Sequence, residues 1–428
     1  ETGMKVNGRW VAQLARDDRS RTTTITDYTR DDAKEVTHTL TYNRLGQLIE
    51  RATVEDNTVE SMRWEYDADG ARTALVNTHD QRIEYQRDLT GRITTITHPT
   101  LGQVHVEYDA AGRIRETRAA DQIQTWEYAD GFPRVHTRTD ASGVSITQII
   151  RDDQGRITRL DGPDATTNYV YDDACQLVEA TTDGQARAWT YDRGGRLIRE
   201  RTPVGQRALN YDAAGQLVTV TEPDGTTTDY HYDGQGRRIS ARSSDQTTTY
   251  TWDARGWLAK ITEQSADGSH ETDLWVNALG EVADVDGTEL HWDLAAASPT
   301  LVNIADTPVL QAPGGLTGIG QQWEAPDWRA TRTTDADDPW QALAAADGIR
   351  DDLPSGLGLT ADGALHVAGL EWMGARAYDP ASRGFLSVDP LEPVTGAGWS
   401  ANPYSYAGND PLHAVDPLGL APISDAEL

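Results

Sequence analysis

Along most of the chain, apolar and polar residues alternate with a period of two, in short runs broken by turn residues. Arg63-Trp64-Glu65-Tyr66 precedes one such break, and Gln216-Leu217-Val218-Thr219-Val220-Thr221 follows another. Alternation of this kind predicts strands with one buried and one wet face. The breaks are themselves regular. Tyr42-Asn43-Arg44-Leu45-Gly46, Tyr66-Asp67-Ala68-Asp69-Gly70, Tyr108-Asp109-Ala110-Ala111-Gly112, Tyr191-Asp192-Arg193-Gly194-Gly195, Tyr211-Asp212-Ala213-Ala214-Gly215, Tyr232-Asp233-Gly234-Gln235-Gly236 and Trp252-Asp253-Ala254-Arg255-Gly256 follow one form. Asp bonds the backbone ahead of it and Gly takes the positive-φ position, so each is a tight turn between strands. Weaker copies start at Asp88, Asp152, Asp172 and Asn277, and a degenerate one lies near Tyr128 and Gly131. The central glycines fall about 20 residues apart, and a second turn, often Asp-Gly as at Asp183-Gly184 and Asp224-Gly225, closes the other end of the unit. Each unit is then about two strands and cannot bury its apolar face alone. About twelve units predict a ribbon of roughly two dozen strands, too wide for an open sheet, so it is expected to coil or close. The fold class that follows is all-β.

Composition changes this picture little. The 428 residues would suggest about two to four domains, but a tandem repeat sets that rule aside. Trp and Tyr number 13 and 16 against 2 Phe, which suits a sheet whose outer face is wet. The net charge of -30 argues against nucleic acid or an anionic membrane as a partner. It reads as solubility through self-repulsion, with an acidic lumen for a basic cargo as the sharper alternative. A single cysteine, Cys175 at a turn-glycine position, excludes an intramolecular disulfide and a Cys-type metal site. The ten His are scattered; the one Glu-x-x-His spacing, Glu35 to His38, lies in a strand-like segment, so the His are read as strand or surface residues and no metal or cofactor is expected. No run of about 18 apolar residues predicts a membrane span. Glu1-Thr2-Gly3 reads as an expression scar.

The periodicity fades after Trp292-Asp293. Ala295 to Gly320 is small and apolar with Pro299, Pro308 and Pro313; Trp323 to Gly358 is rich in Asp, Pro, Trp and Ala. Both read as loop-rich, with a short helix starting at Pro339-Trp340-Gln341-Ala342-Leu343. A non-repeated stretch follows: Gly374-Ala375-Arg376-Ala377-Tyr378-Asp379-Pro380, Ser387-Val388-Asp389-Pro390, Asn402-Pro403-Tyr404-Ser405-Tyr406 and Asp416-Pro417-Leu418-Gly419-Leu420. No phosphate loop, nucleophile elbow or metal motif accompanies it.

The tandem array resembles the YD repeats of Rhs proteins, teneurins and toxin-complex C subunits, and the terminal stretch resembles the Rhs-associated core domain. The resemblance implies a long antiparallel β-ribbon spiralling into a hollow shell, residues 4–294, closed by a core domain, residues 295–420. It further implies that the chain cuts itself after Asp-Pro-x-Gly-Leu, here between Leu420 and Ala421, leaving residues 421–428 as the start of a caged C-terminal toxin. The family's paired aspartates map onto Asp389 and Asp416. Peptide cleavage without Ser/His, Cys/His or a metal can use two carboxyls, one as carboxylate to activate water and one protonated to donate to the carbonyl oxygen or leaving amine, and two close carboxyls supply both forms. Arg376 and Arg383 are the candidates for holding the carbonyl or its oxyanion. The sequence departs from the family where Leu391-Glu392 follows the first Asp-Pro, and in a long spacer, Pro393-Val394-Thr395-Gly396-Ala397-Gly398-Trp399; Asp379 is the reserve. Implied partners are the chain's own toxin as cargo, an N-terminal plug or secretion-system component, and an immunity protein, in a secreted or exported bacterial protein. The other readings are a teneurin-like adhesion or carbohydrate-binding module without cleavage, a passive scaffold, and a core in which the aspartates only cap turns. An uncovered first strand is expected to form edge or dimer contacts.

Overall fold

The structure, a computed structural model, describes residues 2–30, 34–296, 298–329, 334–392 and 396–424. Glu1 of the scar, residues 393–395 of the spacer and residues 425–428 of the cargo start lie outside them. From Thr2–Val6 to Gln322–Glu324, 32 strands form one sheet in which each strand pairs antiparallel with the next in sequence. That exceeds the two dozen expected from the motif. The first two strands, Thr2–Val6 and Arg9–Asp17, and those from Thr300–Ile304 onward carry no Tyr-Asp-x-x-Gly signal. The sheet thus runs on past Ala295 to Glu324. The helix expected from Pro339 is absent: Trp340 is buried, Gln341 closes a turn onto the Asp338 carbonyl, and Ala342 bridges to Thr334. The described α-helix is Asp347–Arg350.

The repeat turns share one set of bonds. At Asp109 the backbone N–H donates to the Arg113 carbonyl (2.8 Å) and Gly112 N–H donates back to the Asp109 carbonyl (3.1 Å). The Asp109 Oδ1 accepts from the N–H groups of Ala111 and Arg113, both at 2.9 Å. Cys175 keeps this arrangement at φ 62° in place of glycine. An unforeseen copy stands at Asn77, where Asp80 occupies the glycine position at φ 55°. The tyrosine that opens each motif ties one turn to the turn before. Tyr128, Tyr171, Tyr191 and Tyr211 donate their hydroxyls to the carbonyls of Ile114, Ile157, Leu177 and Leu197, at 2.7 to 2.9 Å. Arg113 also lies over the Tyr128 ring at 4.3 Å. Where it recurs, this ladder fixes the stacking of successive hairpins.

Contacts between distant strands show the ribbon coiling. Arg30 pairs with Asp284 (3.2 Å), Arg51 with Glu281 (2.9 Å), and the Trp64 indole donates to Asp293 (2.8 Å). Further on, Asn77 meets Asn303 (2.8 Å), Trp323 donates to the Leu101 carbonyl (3.0 Å) and Arg138 to that of Ala325 (3.3 Å). From Arg51 onward both partners advance together along the chain, so a second turn of ribbon runs along the first, joined by side chains. One apolar cluster unites Met62, Trp64, Ile96 and Val104 with Val302, Leu310 and Trp323. Another unites Leu177, Trp189, Leu209 and Val220 with Trp340, Tyr378, Phe385 and Tyr406 of the terminal region. That region, with a five-stranded sheet from Leu357–Leu359 to Gly384–Phe385, is therefore seated on the middle of the ribbon. A cavity of about 1030 Å³ lies between the ribbon and this region.

Candidate functional site

The strands Leu370–Met373 and Arg376–Asp379 are joined by a two-residue turn, Gly374-Ala375, with Met373 paired to Arg376. A second turn, Asp416 to Leu420, nests against it. Ala375 N–H donates to the Leu418 carbonyl (2.8 Å). The approach requires glycine on both sides: a Cβ on Gly374 (φ 48°) would stand 2.6 Å from the Leu418 oxygen, and one on Gly419 (φ 61°) 2.2 Å from that of Met373. Beyond the turn the chain doubles back, and Ile423–Ser424 pairs with Ala414–Val415, bracketing Leu420 and Ala421.

Asp416 is 2% exposed. Its Oδ1 accepts from the N–H of Leu420 (2.8 Å) and of Ala421 (3.1 Å), and Gly419 N–H donates to its carbonyl (3.1 Å). Its Oδ2 faces Arg376, whose Nη2 donates to it at 3.2 Å and to Asp389 Oδ2 at 3.0 Å. The same guanidinium donates from Nε to the Gly419 carbonyl (2.5 Å) and from Nη1 to that of Pro403 (3.3 Å). Its carbon lies 3.7 Å from the centre of the Phe385 ring. Asp389 is placed by its own N–H on the Pro403 carbonyl (3.0 Å), and its side chain remains 26% exposed.

Burial raises the Asp416 carboxyl above its ordinary value, and the Asp389 charge adds to this; the N–H groups of Leu420 and Ala421 and the Arg376 charge act the other way without cancelling it. Burial likewise lowers the Arg376 guanidinium, against the pull of Asp389 and Asp416. The site is thus two carboxyls of unequal burial on one arginine, with the more buried of them on the amide nitrogen of Ala421. Asp416, Pro417 and Leu418 also border the large cavity.

Of the residues singled out from sequence, Asp389, Asp416 and Arg376 are brought together around Leu420 and Ala421. Arg383 is not among them: buried at φ 61°, it donates to Glu200 (3.0 Å) and Asp338 (2.6 Å) in a cluster with Arg187 and Arg207. There it fastens the terminal region to the repeat sheet. The reserve candidate Asp379 is likewise engaged elsewhere, paired with the buried Arg238 at 2.6 Å. Sequence reasoning missed Phe385 and Pro403. Phe385, one of 2 Phe in the chain, supplies the face under Arg376; Pro403 supplies a carbonyl, which no residue type announces.

The family model described as RHS Repeat matches residues 211–247. The chain is 25% identical over 145 residues to toxin protein Tse5 of Pseudomonas aeruginosa, an overlap of 33% of this chain and 11% of that protein. Among solved structures, the TcdB2-TccC3-TEV structure covers 96% of this chain at 16% identity and TM-score 0.52, with 26% of its own chain matched. The Photorhabdus luminescens Tc holotoxin pore, carrying a TccC3 variant, covers 99% at 15% identity and TM-score 0.50, with 25% of its own chain matched. The chain therefore spans about a tenth of that relative and about a quarter of the solved chains, and at these identities the structural likeness is one of fold.

Proposed function

We propose that the chain, which is an Rhs/YD-repeat protein, is the shell of an exported bacterial toxin and cuts its own backbone between Leu420 and Ala421. The cut frees a C-terminal toxin cargo from the wall that encloses it. The observation that carries this reading is the contact of Asp416 Oδ1 with the Ala421 N–H at 3.1 Å. A carboxyl held on the nitrogen that must leave is where a general acid belongs.

In the proposed reaction Asp389, the more exposed carboxylate, takes a proton from a water as its oxygen bonds to the Leu420 carbonyl carbon. Asp416, acting in its protonated form, which burial favours, gives its proton to the Ala421 nitrogen as the carbon–nitrogen bond breaks. The products are a Leu420 carboxylic acid and an Ala421 amine; Asp389 holds the water proton and Asp416 is left as carboxylate. Arg376 compensates both aspartates throughout and, through Nε on the Gly419 carbonyl, fixes the peptide next to the reacting one. The reaction is single-turnover, because catalyst and substrate are one chain.

Intact mass under denaturing conditions tests this. Wild type is expected to lose the mass of everything after Leu420, and Asp416→Asn to keep it. Full mass in both would sink the proposal and leave Asp416 as a turn cap in a closing plug.

A further inference from the structure

Away from the terminal region, the seam between the two turns of ribbon holds a second cluster of ionisable groups. The strand Thr58–Tyr66 of the first turn presents Glu60, and the strand Thr288–Asp293 of the second presents Glu289 and His291. One oxygen of each Glu and one ring nitrogen of His291 lie within 4.8 Å of one another, and His291 Nδ1 stands 4.0 Å from Glu60 Oε2. A cavity of about 50 Å³ adjoins them, room for an ion and a few waters.

A fourth group points to a ligand independently. His38 lines the same cavity and is 1% exposed. Its Nδ1 is engaged by Thr53 Oγ1 (3.0 Å), while its Nε2 has no hydrogen-bond partner among the described residues. The sheet register places it in a row with the cluster, His38 opposite Thr53 and Thr53 opposite Glu60. A buried imidazole nitrogen left bare is costly unless something occupies it. The arginines nearby make their direct pairs elsewhere: Arg30 with Glu55 and Asp284, and Arg51 with Glu281.

We propose that Glu60, Glu289 and His291 bind a divalent transition-metal ion of the zinc type, with His38 facing it across the cavity, and that the ion clamps the second turn of the ribbon to the first. Imidazole with carboxylate is the donor set that favours such an ion over calcium or magnesium. Sequence gave no metal spacing because the ligands come from strands more than two hundred residues apart. A clamp at this seam stabilises the coiled form alone, since the unfolded ribbon brings none of these groups together.

The test is Co²⁺ titration of chelator-stripped full chain, read by visible absorption, with thermal unfolding in parallel. Wild type is expected to bind one ion with ligand-field bands and to unfold at a higher temperature when loaded. Glu289→Gln, at a solvent-exposed position, and His291→Gln should each weaken binding by at least about tenfold and abolish the thermal shift. His231→Gln, remote from the seam, should change neither. Bands and thermal shift that persist in both Glu289→Gln and His291→Gln would overturn the proposal, as would a wild type that shows no binding. Because the readouts are metal binding and unfolding, this result is separate from whether Leu420–Ala421 is cut.

Discussion

The turn at Asp109 and the turn at Asp416 share two hydrogen bonds. In each, the glycine three residues on donates its N–H to the aspartate carbonyl at 3.1 Å, and the N–H four residues on donates to Oδ1, at 2.9 Å and 2.8 Å. They differ in surroundings. Asp109 is at the surface with Arg113 of its own turn on Oδ2, and that hydrogen bond holds its carboxyl below the ordinary 3.8. Asp416 is buried, shares its arginine with a second aspartate, reaches one residue further to the Ala421 nitrogen, and is held above the ordinary value. A turn-capping carboxylate thus becomes a candidate acid by a change of dielectric and counter-ion, with the turn kept.

The comparison breaks most sharply on cleavage. Asp416→Asn and Asp389→Asn should each slow the cut by at least about 10²-fold, while Asp109→Asn leaves it at the wild-type rate; intact mass against time separates them, and a slow Asp109→Asn would mean that the fold rather than the site is at issue. Next in size is Arg376→Met. It leaves the Asp416 Oδ2 and the Gly419 and Pro403 carbonyls without their donor and should lower stability by about 1–3 kcal/mol, measured by denaturant unfolding. A loss near zero would mean that the guanidinium does not hold the two turns together. Gly419→Ala forces a Cβ onto the Met373 carbonyl at positive φ and should cost about 1–3 kcal/mol, whereas at Gly46, where no atom lies within 4 Å of the added Cβ, only the φ penalty applies.

Acid sharpens the contrast by sign. Asp109, with its folded value depressed, contributes stability that is present above 3.8 and lost as pH falls through that depressed value. Asp416, with its folded value raised, favours the fold at low pH, and that contribution is lost as pH rises through the raised value. The Tm of wild type relative to Asp416→Asn should therefore climb as pH falls from neutral; a flat difference would refute the shift. The smallest effect belongs to Cys175, an L-residue in a glycine's conformation. Cys175→Gly should add about 1 kcal/mol, and a neutral result would show the turn to be unstrained.

Much of this was legible because the repeat is local. Tyr-Asp-x-x-Gly states a turn and two half-buried strands in a few residues, and the family resemblance singled out Asp416-Pro417-Leu418-Gly419-Leu420. The copy at Asn77 escaped because Asp80 replaced its glycine, and the strands from Thr300–Ile304 to Thr317–Ile319 escaped because burial of nearly every residue removes their alternation. Trp340 misled in the same way: a helix-start pattern was overridden by its burial against Trp189, 4.5 Å between ring centres. Arg376 and Arg383 were equal candidates in sequence, both in the terminal motif and both next to a Gly or an Ala.

What could be read without the fold is therefore periodic and short-range: an all-β chain, antiparallel pairing of neighbours, the turn geometry, and a terminal Asp-Pro-Leu-Gly-Leu motif outside the repeat. Only the tertiary structure decided which charges meet. Winding the ribbon past itself set Arg30 against Asp284 and His291 against Glu60. Seating the terminal region on the ribbon sent Arg383 to Glu200 and left Arg376 to hold Asp389 and Asp416. The physical reason is one of range: hydrogen-bonded turns and strand alternation are settled over a few residues, whereas burial and counter-ions, which set what a carboxyl can do, come from strands far away in sequence.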